Sequence, residues 1–320
     1  MEHINISELS PQMVVEQNYI LKSHAIKQAK NGSDYLVAEL QDKTGTIKGN
    51  LWNASEDLDA MLVDGGFVRA KISTEVYNGV LQCKILAIFE IEPTVEDYQG
   101  LVPMAREPID DLAKELRAVV AEVSSPYREV LENVLCLDFE TFKMIPGAKT
   151  MHHAEIGGLL MHTVEMLRME KGILPVIMEK WPVDTDLLYT ATILHDWGKI
   201  REFKTSEVGL VTDYTVEGNL LGHIQMGVMD VDEMARANGL SDEQCALLEH
   251  CILAHHGQPE YGSPVTPMTM EAIILHAVDA LSALSEEYAD AVSKIDPGTF
   301  TQVFGVGKLY RPVGTDSKEK

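Results

Sequence analysis

Leu194-His195-Asp196-Trp197-Gly198-Lys199 closes an apolar, helix-forming stretch over residues 185–195. Neighbouring residues on an α-helix point ~100° apart, so His195 and Asp196 face different directions, and one carboxylate beside such a histidine can bridge two ions while the histidine ligates one. Lys199, three residues past Asp196, falls on nearly the same face. Working outward, four more segments set a histidine or a carboxylate among small and apolar neighbours. They are Leu159-Leu160-Met161-His162-Thr163, Gly222-His223, Ala254-His255-His256-Gly257 and Ala277-Val278-Asp279-Ala280. A lone helical histidine is ordinarily a packed or solvated side chain. Five imidazoles and two carboxylates on five helices instead suit a site in a bundle core. Buried without a metal, they would leave unpaired charge and donors. Imidazole with carboxylate, and no thiolate, suits Mn²⁺ first, then Fe²⁺, Co²⁺ or Zn²⁺.

Around these segments apolar residues recur with the helical period, predicting helices over 109–123, 127–137, 155–171, 185–195, 220–238, 242–255 and 268–291. A small hairpin is expected from Val208-Gly209-Leu210-Val211 with Tyr214-Thr215-Val216. Upstream, residues 19–91 alternate with period two. Asp42-Lys43-Thr44-Gly45 and Asn78-Gly79 mark hairpin turns, and a short helix is expected over 56–63. Five strands with a helix between the third and fourth follow the order of an OB barrel. The expected organisation is an all-β OB barrel over 1–92, a linker with three prolines over 93–108, an all-α domain with a small β-hairpin insertion over 109–313, and a flexible tail over 314–320.

Composition agrees with a two-domain globular protein: 320 residues, 45% hydrophobic and 24% charged. No apolar run is long enough to span a bilayer, and the N-terminus has neither basic flank nor apolar stretch, so a cytoplasmic protein without membrane contact is expected. Asp and Glu outnumber Lys and Arg 50 to 26, a net charge of −24. Such a surface disfavours tight duplex binding through a basic face. The four cysteines form no C-x-x-C pair and read as buried reduced thiols. Of 11 histidines, all but His3 and His24 follow residue 150. The second half therefore carries the imidazole chemistry.

At His162, His195-Asp196 and Asp279 the chain resembles the HD-domain superfamily of metal-dependent phosphohydrolases, and His223, His255 and His256 match its binuclear subset. The stretch from His152-His153-Ala154-Glu155 through Gly157-Gly158, and Val211-Thr212-Asp213-Tyr214-Thr215 followed by Glu217-Gly218-Asn219, resemble the YhaM-type bacterial 3′→5′ exoribonucleases. A barrel ahead of an HD domain is that family's architecture. The resemblance implies two-metal hydrolysis of single-stranded RNA, and of single-stranded DNA as a further substrate, to nucleoside monophosphates. Two ions ~3.5–4 Å apart would activate a water and clamp the phosphate oxygens. His162, His195, Asp196 and Asp279 would hold one ion, and Asp196, His223, His255 and His256 the other. Lys199 is the candidate contact to the scissile phosphate. His152 and His153 are candidates to bind phosphate or protonate the leaving oxygen, with a capping or orienting role as the alternative. His250 and His276 read as packing or ligand-supporting groups, and Gly157-Gly158 as close helix packing.

In the barrel, Tyr35, Trp52, Phe67 and Tyr77 are candidates for stacking bases, and Lys43, Lys48, Arg69, Lys71 and Lys84 for following a backbone. Aromatics on barrel strands are as often core, and residues 1–100 carry eight basic against fifteen acidic groups. Nucleic-acid contact by the barrel therefore follows from the resemblance more than from charge. The rival readings are an HD phosphohydrolase acting on a nucleotide or cyclic nucleotide, with the barrel regulating or assembling a homo-oligomer, and a non-catalytic single-strand binding protein.

Overall fold

The computed structural model describes residues 3–29, 32–52, 54, 56–77, 79–149, 153–206, 208–303 and 305–314. Asn78, His152 and the tail beyond 314 lie outside them.

Strands β1 (Val14–Gln28), β2 (Asp34–Asp42), β3 (Gly45–Trp52), β4 (Phe67–Tyr77) and β5 (Val80–Glu90) close into a barrel in the order β1-β2-β3-β5-β4, with α1 (Glu56–Met61) between β3 and β4. This is the OB order the alternation predicts. Along β2, Leu36, Ala38 and Leu40 are buried while Tyr35, Val37, Glu39 and Gln41 between them are half-exposed, the period-two signature of a sheet with one packed face. Tyr19, Leu21, Ile72 and Ile85 complete that interior.

Residues 93–108, expected as a linker, carry α2 (Val95–Leu101), started by a Thr94–Asp97 capping box. The end of this helix is buried. Leu101 and Val102 pack with Ile20 and Phe67 of the barrel and with Ile156, Val208 and Leu210 of the helical part. Just beyond, Ala105 N–H donates to the Ile156 carbonyl at 2.8 Å, and Ile156 N–H to the Pro103 carbonyl at 3.0 Å. The segment is an apolar joint holding the two parts together.

The helical part runs through α3 (Ile109–Glu122), α4 (Tyr127–Met144), α5 (Gly158–Met178), α6 (Thr185–Leu194), α7 (Lys199–Glu202), hairpin β6 (Phe203–Thr205) and β7 (Val211–Tyr214), α8 (Val216–Ala237), α9 (Asp242–Ala254) and α10 (Met270–Ser293). One apolar core joins Leu159 and Leu160 of α5, Leu188 of α6, Val231 of α8, Ile252 of α9 and Leu275 of α10. Several details differ from the pattern-based expectation, among them α5, expected over 155–171, which runs on to Met178. The helix over 127–137 continues to Met144 past a break at Asp138. The α8 helix begins four residues early and breaks at Gly222, directly before His223. The insertion hairpin pairs Phe203–Thr205 with Val211–Tyr214 rather than 208–211 with 214–216. A further hairpin, β8 (Phe300–Val303) with β9 (Gly307–Tyr310), follows α10. No helix among the described residues is long and apolar enough to cross a membrane.

Candidate metal centre

The chain leaves α6 at Leu194 and turns through His195 and Asp196 into α7. Gly198 lets α8 approach this turn: a Cβ there would sit 2.0 Å from the His223 carbonyl oxygen, so any side chain would push the two segments apart. At the start of α5, Gly158 likewise abuts the backbone of His153, where a Cβ would fall 2.1 Å from its carbonyl oxygen. The Gly157-Gly158 pair is thus a close-packing device. His195 and His255 repeat one local arrangement. Each follows the last residue of a helix and donates Nδ1–H to the carbonyl three residues back, Thr192 at 2.8 Å and Ile252 at 2.6 Å, satisfying carbonyls that a helix end leaves open.

All seven proposed ligands come together. Asp196 Oδ2 lies 3.2 Å from His195 Nε2, while Oδ1 lies 3.3 Å from His223 Nε2 and 3.9 Å from His255 Nε2. Asp279 Oδ1 is 3.2 Å from His162 Nε2. The groups form two clusters able to hold a metal ion, His162-His195-Asp196 and His223-His255-His256, and Asp196 touches both. Every ring in the set has its Nδ1 engaged elsewhere. His162 meets Ser282 Oγ at 3.0 Å, His223 meets Glu202 Oε1 at 3.1 Å, and His256 donates to the Tyr261 carbonyl at 2.8 Å. Outer partners of this kind fix the tautomer and turn the Nε2 lone pair inward. The Nε2 atoms of His195, His223 and His255 and Asp196 Oδ1 are buried and find no hydrogen-bond partner among the described residues. Buried polar atoms are rarely left so. Four orphaned acceptors converging on one space fit a divalent cation.

Protonation fits as well. Burial pulls the His162 imidazole down to about 4, against the opposing pull of Asp279. Burial also lowers His255, helped by His256 and His195, and lowers His256. Burial alone would raise Asp196, but the Lys199 and His195 charges outweigh it and hold the carboxyl well below the usual range. Asp279 is lowered in the same way by His162. His195 moves the other way, since Asp196 more than offsets its burial. Near neutral pH this gives anionic carboxylates beside mostly neutral imidazoles, the forms that bind metal.

Lys199 donates to Asp196 Oδ2 at 2.7 Å and to the Gly147 carbonyl at 2.8 Å, with its side chain mostly buried. His153 is buried with its ring 5.2 Å from that of His162, and its Nε2 is 3.7 Å from Glu165 Oε2. His152 lies outside the described residues. His250 Nε2 accepts the Met268 N–H at 3.0 Å, and His276 Nδ1–H donates to the His255 carbonyl at 2.8 Å. The supporting groups Glu202, Ser282 and Glu165 escaped the sequence reading. Their spacing was a usable signal: Glu202 falls three residues after Lys199, and Ser282 three after Asp279, on shared helix faces.

In the barrel, Tyr35 and Trp52 pair across β2 and β3 and stack at 4.8 Å, with Trp52 52% exposed. Tyr77 is exposed at the end of β4. Phe67 is a correction: only 3% exposed, it packs edge-on against Tyr98 within the joint and has no face for a base. The barrel cations meet carboxylates, Lys48 with Glu39, Arg69 and Lys71 with Glu16, and Lys84 with Glu75.

Comparison with known proteins agrees with this site. The HD domain profile matches residues 159–284, and an HD domain implies divalent-metal binding. The 3′-5′ exoribonuclease YhaM of Halalkalibacterium halodurans is 33% identical over 296 residues, 90% of this chain and 89% of that one. The YhaM of Bacillus subtilis is 32% identical over 306 residues, 93% of this chain and 95% of its own. Among solved structures, the second OB-fold domain of replication protein A from Methanococcus maripaludis aligns at 26% identity over 29% of this chain and 98% of that one, with a TM-score of 0.24. The barrel itself is recognised by its strand order. With similarity to the YhaM proteins running through barrel, joint and metal centre alike, the chain belongs to the YhaM 3′-5′ exoribonuclease family.

Proposed function

We propose that this protein is a metal-dependent 3′→5′ exonuclease that hydrolyses single-stranded RNA, and single-stranded DNA as a second substrate, to nucleoside 5′-monophosphates in the cytoplasm. The observation that carries the reading is Asp196, one oxygen toward each histidine cluster. His162, His195, Asp196 and Asp279 would hold one divalent ion and Asp196, His223, His255 and His256 a second, Mn²⁺ being the best match to a mixed imidazole–carboxylate set. Such ions acidify a water and neutralise phosphate charge. The chain's own groups do the rest. Asp196 keeps the two clusters in register. Lys199, anchored on Asp196 and Gly147, brings a cation to the phosphate. His153, beside His162, orients the phosphate or hands a proton to the departing 3′ oxygen as the P–O3′ bond breaks and water oxygen bonds to phosphorus. We take residues 1–92 as a nucleic-acid-binding barrel and 109–313 as the catalytic domain, in a chain that assembles as a homo-oligomer.

A 5′-labelled ~20-nucleotide RNA incubated with Mn²⁺ should shorten stepwise from its 3′ end and release monophosphates, at rates far above hydrolysis of nucleotides or cyclic nucleotides. Turnover of the small nucleotides alone would replace this reading with the phosphohydrolase one. Binding without any turnover would leave a single-strand binding protein.

A further inference from the structure

Barrel and helical part meet along a groove. Its larger hollow, about 620 Å³, lies between the turn joining β2 to β3, the chain before α5, the C-terminal half of α10 and strand β8. A second hollow of about 530 Å³ continues around the same turn, sharing Lys43, Thr44 and Glu286 and adding Arg106 and Met161. Two residues of its lining stand next to a proposed ligand of the metal centre. Met161 adjoins His162, and His153, on the wall of the larger hollow, has its ring 5.2 Å from His162. On α10, Glu286 stands two turns beyond Asp279 on the same face, ~10 Å along the axis.

In a chain of net charge −24, this groove sets five basic side chains, Lys22, Lys43, Lys149, Lys294 and Arg106, against five acidic ones. Arg106 clamps Glu286 and Glu165 and Lys294 meets Asp290 at 2.6 Å, while Lys149 is itself paired with Asp213 at 3.2 Å and Lys22 with Glu39 at 3.6 Å. Lys43 is exposed and carries no ion pair among the described residues. The turn presenting it is braced, because the buried Asp42 carboxylate accepts N–H groups from Ile6 at 2.6 Å and Thr44 at 2.7 Å. By contrast, the stacked Tyr35–Trp52 pair sits seven residues up the same hairpin, ~23 Å from the turn.

We propose that this interdomain groove carries the 3′ segment of single-stranded RNA from the barrel to the metal centre, with Lys43 and Lys149 contacting backbone phosphates. The proposal rests on the nuclease reading and deepens it, since it makes both parts of the chain walls of one substrate path. A strand leaving the groove reaches the barrel surface near the β2–β3 turn and runs toward Tyr35 and Trp52.

The test uses the full chain and a 5′-fluorescent ~20-nucleotide phosphorothioate RNA, with binding followed by anisotropy across salt concentrations. Each phosphate-contacting lysine contributes about 0.7 to the log–log salt slope on a single strand, so Lys43→Ala with Lys149→Ala should lower it by about 1.4. Lys114→Ala with Lys180→Ala, residues outside the groove, should leave it unchanged. A 4-thiouridine near the RNA 3′ end should cross-link within 41–46, at Lys149 or within 153–155. An unchanged slope with cross-links confined to the exposed Leu220 or Tyr261 side of the metal centre overturns the groove. Wild-type protein that shortens RNA while giving those results keeps the nuclease reading without the groove. Groove cross-links and the expected slope in a protein that cuts nothing do the reverse.

Discussion

Glu202 offers a direct test of the metal centre because it is not itself a proposed ligand. Its Oε1 accepts two hydrogen bonds from His223, from the backbone N–H at 3.0 Å and from the ring Nδ1 at 3.1 Å. That second bond keeps the ring proton on Nδ1 and leaves Nε2, 3.3 Å from Asp196 Oδ1, as a lone pair. In Glu202→Ala the ring is free to move its proton to Nε2, where it would donate to Asp196 and oppose metal binding. A hydrogen bond to a charged acceptor is worth ~1.5–3 kcal/mol, or roughly 10- to 150-fold in metal affinity. Loss of an outer partner of a ligating histidine typically costs ~10–100-fold, so two independent scales agree. Glu202→Gln keeps an oxygen acceptor and should cost only a few-fold. The fold should survive either change, since the Glu202 carbonyl is held by Thr215 N–H at 2.8 Å through the backbone. Calorimetric titration of metal-stripped protein with Mn²⁺ measures the affinity, and ¹⁵N shifts of His223 report its tautomer. Wild-type Mn²⁺ affinity in the Ala variant, or a His223 ring still protonated on Nδ1, would refute the reasoning.

Asp196→Asn removes the charge facing both clusters and should lower kcat by ~10³-fold or more, while circular dichroism stays that of the helical fold; near-normal turnover at saturating Mn²⁺ would remove Asp196 as the bridge. Glu170, buried on α5 with Thr192 Oγ1–H donating to it at 2.6 Å, is pushed by burial up to about 8. The folded form therefore keeps this proton while the unfolded chain releases it, so stability falls as pH rises from about 4.5 to about 8, by on the order of 4–5 kcal/mol. Thermal melts of Glu170→Gln should lose that decline, and parallel melts of variant and wild type across this range would count against it. Trp52→Ala should weaken binding of a ~20-nucleotide strand by ~1–3 kcal/mol if one base stacks there, with equal affinity in direct titration dismissing the Tyr35–Trp52 pair as a platform.

Much of this protein is legible locally. Strand alternation in Leu36, Ala38 and Leu40 reports a packed face without knowing what packs on it, because the pleat sets the period. His195-Asp196 and His255-His256 announce themselves as polar groups in apolar helix ends, where burial needs a partner to be tolerable. Alternation does not say what covers a barrel's outside, so Phe67 reads as a candidate stacking surface until Leu101 and Val102 come to lie on it. The 93–108 stretch reads as a linker because its apolar residues find their partners in both halves of the chain. Ser282 meets His162 across 120 positions, and Glu202 meets His223 across 21. Such pairings depend on helix packing angles that no single segment encodes. The chemical identity of the candidate ligands is therefore written in the chain's own spacing, whereas the ring hydrogen bonds that turn Nε2 inward and the place of Asp196 between the two histidine clusters exist only once the helices are packed together.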